Sequence, residues 1–451
     1  MQDRRGTRQR WSSSLMFVLA ATGSAVGLGN IWKFPYLAGK HGGGTFVLIY
    51  LACLLLLCIP IMVAEILIGR HGRRNPPVSV DILARQAGSR LSWRWLGMAG
   101  MVAGFLILSY YSVIAGWTLF YIFEMAMGVF GGFDALEVER FFAEFIASPW
   151  QQIVWHSLFM TATLVIVARG VQGGLEKAVE LLTPALFLIL LILIGYVLGT
   201  GEFMHGVAFL FTPDASKFTA ETVLAAMGHA FFSLSIAMGV MMVYGAYLPD
   251  GVSIVKASLI VAGADTVVAI MAGLVIFPLV FSNHLPLTFG PGLIFKTLPL
   301  TFAQMPGGTL FGGLFFVLLT IAALSSSISL IEPTVAWLVE EMGWTRGAAC
   351  WSSGGVCWFL GLGTVFSFNA WRGFTLLDRT FFQWLDFLTS NLLLPLSGFV
   401  VAVFMGWVVR PELSRSVLNC GDAVFAAWWI SIRFVAPGAV MLIFMQAMGL
   451  L

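Results

Sequence analysis

The most apolar stretches of this sequence are interrupted, at only a few places, by groups that can bind or ionise. Residues 19–36 (LAATGSAVGLGNIWKFPY) put Gly23, Gly27, Gly29, Asn30, Lys33 and Pro35 into one apolar run. Residues 228–244 (GHAFFSLSIAMGVMMVY) put His229, Ser233, Ser235 and Gly239 into another, and residues 323–333 (ALSSSISLIEP) carry a triple serine and Glu332. Glu65 and Asp265 stand in further runs. Such groups hold ions and small polar molecules. For bond-breaking chemistry there is no counterpart: the sequence has no HExxH, GxSxG or GxxxxGK[ST] pattern, and no His pairs with a nucleophile. Its six His are dispersed without ligand spacing, and its five Cys form no CxxC pair. The cysteines read as small core residues, with neither a disulfide framework nor a metal site implied.

The elements that position these groups are membrane spans. Of 451 residues, 59% are hydrophobic and 10% charged, against about 45–50% and about 25% in soluble domains. So few charges could not cover a soluble globule of this size. At about 20 residues per span, roughly ten to twelve spans fit. The apolar runs are long and continuous, which excludes an outer-membrane barrel. Eleven runs fall at about 14–37, 44–68, 96–127, 152–168, 178–199, 221–247, 256–282, 309–340, 347–366, 385–409 and 423–450. The first, preceded by Arg4, Arg5, Arg8 and Arg10, superficially resembles a signal peptide, but the many later spans point to a membrane segment. No loop is long enough to carry a soluble domain.

Charge sets the expected orientation. With the N-terminus inside, sixteen Lys and Arg fall in cytoplasmic segments and six in outer ones, while Lys33 and Arg433 lie in or near spans. The loop near 128–150 is acidic, as expected outside (Asp134, Glu137, Glu139, Glu144). The expectation is an inner cell membrane protein with a cytoplasmic N-terminus and an external C-terminus. No nucleic-acid partner is implied, and the oligomeric state stays open.

Three Gly and a Pro argue against a continuous first helix, and His229 to Gly239 interrupt the sixth. Broken helices at membrane depth survive only where they are buried in protein or line a cavity. Two interrupted spans at matching positions of two halves point to a transporter's midplane site. Lys33 must then have a partner or face water.

GSAVGLGNIWKFPY (23–36) followed by HGGGTFVLIY (41–50) closely resembles the first-span signature of the neurotransmitter:sodium symporter family. PIMVAEILIGRHG (60–72), SYYSVIAGWTL (109–119), AFFSLSIAMGVMMVYGAY (230–247) and ALSSSISLIEP (323–333) extend the resemblance over nearly the whole chain. The resemblance implies an all-α membrane protein of eleven helices. It implies an inverted 5+5 repeat with helices 1 and 6 discontinuous, and sodium-coupled import of an α-amino acid by alternating access. The implied organisation is a cytoplasmic N-terminal segment (1–13), a first repeat (14–199), an outer loop (200–220), a second repeat (221–410), then a cytoplasmic loop and the eleventh span (411–451).

Carried over residue by residue, the resemblance places the substrate carboxylate at the break of the first span. There Gly27 stands where monoamine transporters have Asp, and half-helix N-termini hold anions. The implied substrate contacts are Ser24, Ala25, Gly27, Leu28, Gly29, Tyr111, Phe232, Ser233, Ser235, Met238, Ser326 and Leu330. Met238 and Ser24 replace a Phe and an Asn of the bacterial leucine transporter. Both changes would enlarge the pocket, implying a large apolar or aromatic substrate. Two Na⁺ sites are implied: one from Ala25, Asn30, Ser233 and Asp265 with the substrate carboxylate, one from Gly23, Val26, Ala322, Ser325 and Ser326. Taken alone, the serines could equally bond back to their own helix. Ala269 lacks the hydroxyl of chloride-dependent members, so no chloride is expected, and the charge role falls to Asp265 or Glu332, either of which could serve proton antiport. The implied gates are Lys33 with Asp386 outside, and Arg8, Trp11 and Glu340 with Tyr247 nearby inside. Glu341 is an alternative inner acid. Gly174 and Pro184 match a motif at which the fifth span's inner end unwinds. The rival readings are a proton-coupled amino acid permease of the same architecture, a channel or receptor, and a membrane enzyme.

Overall fold

A computed structural model describes residues 10–282 and 292–447. The chain is helical almost throughout. Its elements are α1 (Ser14–Ala25), α2 (Gly29–Lys40), α3 (Gly44–Gly72), α4 (Pro76–Gln86), α5 (Arg94–Ala126), α6 (Ala135–Ala147), α7 (Pro149–Ala168), α8 (Val171–Val197), α9 (Phe203–Phe211), α10 (Ala220–Ser233), α11 (Val240–Ala246), α12 (Ile254–Ser282), α13 (Leu293–Ala303), α14 (Gly308–Met342), α15 (Arg346–Ser367), α16 (Phe381–Val408), α17 (Pro411–Leu418) and α18 (Asp422–Leu442). Among the described residues, nine of these are long and apolar enough to cross a membrane, or ten if the α1–α2 pair, bent by 47°, counts as one span. The remaining expected run, 221–247, is divided between α10 and α11, of 14 and 7 residues, each too short to cross alone.

The two longest helices, α5 and α14, pack against each other and form the spine on which α1, α8, α11 and α15 are arranged. Close approach is built on glycines. A Cβ at Gly69 of α3 would collide with the Met242 carbonyl of α11, and one at Gly245 would collide with the Ile66 carbonyl in return. Small residues let membrane helices approach in this way.

One expectation needs correction. The acidic segment near 128–150 is not a plain loop. Asp134 caps α6 in a reciprocal capping box with Glu137, and Val138, Phe142 and Phe145 are buried beneath it. α8 opens with a wide π turn over Val171–Glu176 that leads directly into the α-helix carrying Pro184.

Candidate functional site

The breaks α1/α2 and α10/α11 face one another. Val26–Leu28 separate α1 from α2, while residues 234–239 connect α10 to α11. In that connection Ser235, Ala237 and Gly239 all adopt left-handed backbone (φ +51°, +65° and +73°), a conformation costly for the two non-glycine residues and found where surrounding structure enforces it. The enforcement is visible. Fully buried Glu65 of α3 accepts the Ala237 N–H (2.9 Å), and Ser235 Oγ donates across to the Ser24 carbonyl (2.9 Å). At the other break, Gly27 N–H donates to Asn30 Oδ1 (3.0 Å) and Leu28 N–H to Tyr111 Oη (3.3 Å). Ser326 Oγ of α14 donates to the carbonyls of Ser24 (3.1 Å) and Val26 (3.3 Å). Each break is thus satisfied by side chains of other helices, as backbone buried from water requires.

One small cavity opens between the breaks. Ser24, Ala25, Gly27, Leu28, Gly29, Tyr111, Phe232, Ser233, Ser235, Met238, Ser326 and Leu330 all line it, together with Ile107. Every expected substrate contact therefore falls in one place. Ile107 is an addition, one helical turn from Tyr111 on α5. The cavity holds about 20 Å³, little more than a water needs, so a large side chain would enter only if lining residues moved. No Cβ fits at Gly27, where Ser326 Oγ would lie 2.5 Å and Tyr111 Oη 3.0 Å away. Ser24 Oγ is buried here without a hydrogen-bond partner.

Behind this cavity lies an oxygen-rich cluster around Asp265, which is completely buried on α12. Its carboxylate accepts from Asn30 Nδ2 (2.7 Å), from Ser233 Oγ (2.8 and 2.7 Å) and from Tyr50 Oη (2.9 Å). The carboxylate, the amide and the hydroxyl are hard donors that fit an alkali cation. Asn30 turns its amide nitrogen to Asp265, so offering the oxygen to a cation there would take an amide flip. Sequence reasoning missed Tyr50, although it lies within the signature HGGGTFVLIY. Ala269, one turn along α12, is buried and offers no hydroxyl.

A second oxygen group joins α1 to α14. A Cβ at Gly23 would touch Thr183 Oγ1 (3.0 Å) and Ser325 Cβ (3.4 Å), so the Gly23 backbone abuts Ser325 directly. Ser325 Oγ bonds back to Ile321 and Ala322 carbonyls (3.2 and 3.0 Å), the helix-internal alternative for these serines, whereas Ser326 reaches across to α1. All these donors are oxygens, so this set also fits a hard cation.

Lys33 and Asp386, the expected outer pair, line a common cavity of about 200 Å³ with Tyr110 and Phe232. No ion pair between them occurs among the described residues: Lys33 Nζ sits 4.9 Å over the Phe232 ring, and Asp386 accepts from Ser390 Oγ (3.1 Å). A single ammonium on a flexible stem is free to choose the aromatic face. Inside, Arg8 lies outside the described residues. Glu340 is engaged by Arg74 Nε (3.0 Å), Asn75 N–H (2.8 Å) and Asn75 Nδ2 (2.9 Å), and Glu341 pairs with Arg74 and Arg94. Trp11 packs on Tyr244 and Tyr247, and its indole N–H and backbone N–H donate to their respective carbonyls (3.2 and 3.0 Å). Buried Glu176 of α8 accepts the Ser12 N–H (2.5 Å). Glu332 is not available as a lone acid: Arg346 binds it through both Nη atoms (3.0 and 2.6 Å), and Tyr247 Oη donates to it (2.9 Å). Arg346 was not singled out from the sequence. Its cue would have been an arginine opening α15 four residues after α14 ends.

Known proteins share this architecture. The sequence profile described as "Sodium:neurotransmitter symporter family" matches residues 8–129 and 135–450. A protein of Bacillus subtilis (strain 168) named an uncharacterised sodium-dependent transporter is 37% identical over 446 residues, 98% of each chain. One of Haemophilus influenzae with a similar name is 31% identical, covering 97% of this chain and 98% of its own. The crystal structure of MhsT in complex with L-phenylalanine superposes with a TM-score of 0.91 at 40% identity, covering 98% of this chain and 100% of that one. These are transporters rather than enzymes, and the chain belongs to the sodium:neurotransmitter symporter family.

Proposed function

We propose that this protein imports an α-amino acid together with Na⁺ by alternating access, with the substrate held between the two facing breaks. The observation that carries this reading is the convergence of the two broken helices on one cavity beside two oxygen-rich clusters. In this reading the substrate carboxylate meets the N-terminal end of α2, where the helix dipole favours an anion and where it would take over the Gly27 and Leu28 N–H groups now held by Asn30 Oδ1 and Tyr111 Oη. Gly27 supplies no counter-ion to a bare amine. Asp265, Asn30, Ser233 and the Ala25 carbonyl would hold one Na⁺ next to that carboxylate. The carbonyls of Gly23, Val26 and Ala322 with Ser325 and Ser326 would hold a second. With Ala269 in place of a hydroxyl and Asp265 supplying the charge, chloride is not required.

The same reading takes residues 14–199 and 221–410 as two inverted repeats, gives eleven spans by counting α10–α11 as one, and sets the N-terminus in the cytoplasm. Lys33, Asp386 and Phe232 would close the outer path, and Trp11, Tyr247 and Glu340 the inner one. The substrate is large and apolar or aromatic. Met238 and Leu330 wall the side-chain end of the cavity, and the ligand in the MhsT crystal is L-phenylalanine.

The test is uptake into proteoliposomes under an imposed Na⁺ gradient, with all twenty amino acids as competitors. Saturable, Na⁺-dependent accumulation inhibited best by Leu, Met, Phe, Tyr or Trp is expected. Best inhibition by Gly, Ala, Pro or a charged amino acid would overturn the substrate class. Uptake driven by a proton gradient and indifferent to Na⁺ would favour the permease reading.

A further inference from the structure

Arg433 carries a charge within apolar helix α18, against the last turn of α16, and the transport site does not use it. Its guanidinium carbon lies 4.7 Å from the Trp407 ring centroid, 5.4 Å from that of Phe434 and 5.9 Å from that of Trp429. Its Nε is buried without a hydrogen-bond partner, and no ion pair among the described residues includes it. The surroundings are built rather than incidental. α16 and α18 touch here so closely that a Cβ on Gly406 would lie 2.7 Å from Arg433 Cα, and Trp407 Nε1 donates to the Arg433 carbonyl (3.1 Å). Both helices widen into π turns at this contact, Phe404–Val408 in α16 and Ser431–Val435 in α18. A third π turn, Leu54–Cys58 of α3, joins them through Ser431 Oγ and the Leu56 carbonyl (2.7 Å). Such turns are rare and frequent at functional sites. On the other side the surface is open: Trp407 is 58% exposed and Phe434 and Ile430 are each 55% exposed.

We propose that Arg433 binds the phosphate of an anionic phospholipid headgroup, with Trp407 and Phe434 flanking the lipid. A cation in an apolar span needs an anion, and the planar guanidinium fork matches phosphate bidentately. Tryptophans are the residues that mark the level of lipid headgroups. The π turn of α16 is its last, followed at once by Arg410 and the short helix α17 with Arg415, so the site faces the leaflet on the positively charged side of the protein.

The test uses the purified full chain and native mass spectrometry, with phosphatidylglycerol and phosphatidylcholine offered in equal amounts. Thermal unfolding in phosphatidylcholine serves as the folding control. The wild type should retain phosphatidylglycerol in preference, R433Q should lose about tenfold of that preference, and R433K, which keeps the charge but not the fork, should lose part of it. Free glycerol phosphate at the same concentration should not displace the lipid. Should R433Q fail to fold, an undiminished preference in R433K overturns the proposal. Equal retention by wild type and R433Q overturns it as well, as does displacement by glycerol phosphate. An Arg433-dependent dimer that forms irrespective of lipid would assign the patch to a second copy instead.

Discussion

Asp265 is the residue on which most of the site's polar groups converge. Four hydrogen bonds from Asn30, Ser233 and Tyr50 hold a fully buried carboxylate in place, and no basic side chain is among its partners. A buried carboxylate without a cationic neighbour is costly, and a bound Na⁺ would offset that cost. Two unit charges 4 Å apart interact by about 4 kcal/mol at an effective dielectric of 20, and a third of that already changes affinity about tenfold. Asp265→Asn should therefore raise the Na⁺ concentration needed for half-maximal amino acid binding by about tenfold or more. A Na⁺ titration of the amino-acid-induced thermal shift measures it. If the Na⁺ dependence is unchanged, Asp265 is a structural carboxylate and the first ion site lies elsewhere. A smaller change is expected of Tyr50→Phe, which removes one hydrogen bond and no charge, worth a few-fold by the same assay.

At the scale of elements, four helices are tied by one buried ion pair. Glu332 of α14 receives both Nη atoms of Arg346 from α15 and the hydroxyl of Tyr247, while Arg346 Nε donates to the Val167 carbonyl at the end of α7 (2.8 Å). Removing one partner of such a pair costs about 3–5 kcal/mol, whereas replacing both by apolar groups of similar size is often neutral. Glu332→Gln and Arg346→Met should each lower the thermal midpoint strongly, and the Glu332→Leu/Arg346→Met double variant should recover most of the loss. Equal destabilisation by the double and the singles would rule out pairing as the source. Glycine contacts give a second comparison. Gly69→Ala should cost about 1–3 kcal/mol or more, because the Met242 carbonyl occupies the space of its Cβ, whereas Gly263→Ala, with nothing nearby, should be near neutral.

These same elements divide what could be read from the sequence from what could not. The breaks in the first and sixth runs were legible because Gly, Asn, Lys and Pro have little other reason to interrupt an apolar stretch. The cavity lining followed from them by resemblance. Glu332 and Glu340 were legible as acids of interest, but their partners were not. Arg346 meets Glu332 through a hairpin whose geometry depends on three non-helical residues, 343–345. Arg74 meets Glu340 from the α3–α4 turn, 266 residues away in sequence. The arrangement of Lys33 and Asp386, which share a cavity without forming an ion pair, was not legible for a similar reason. Matching residue types define candidates, but a lysine next to an aromatic ring has another place to put its charge.

Across the whole molecule, the segment between α2 and α3 clamps the early helices to the segment leading into α10. Gly43 bridges to Pro213, Thr45 Oγ1 and the Asp214 backbone exchange hydrogen bonds (both 2.8 Å), and Lys40 pairs with Glu221 (2.9 Å). At the centre of the clamp His41 is buried, stacked on Phe46 and 3.3 Å from Thr222 Oγ1 through Nδ1. Burial lowers its pKa below the ordinary 6.5, and the Lys40 charge beside it lowers it further. The folded protein therefore favours neutral His41, and unfolding takes up a proton at any pH between the lowered value and about 6.5. Over that window the unfolded chain binds more protons, so stability rises with pH. The contribution is complete above about pH 6.5 and is lost as pH falls through the folded-state value. Thermal unfolding from pH 8 to pH 5 should accordingly show a midpoint that is level down to about 6.5 and then declines. His41→Asn cannot take up that proton and should decline less over the same interval, while its stability at pH 8 differs only by the change in packing. Comparing the two variants cancels the response of every other titrating group. Parallel curves for wild type and His41→Asn would mean that the clamp does not sense protons through His41.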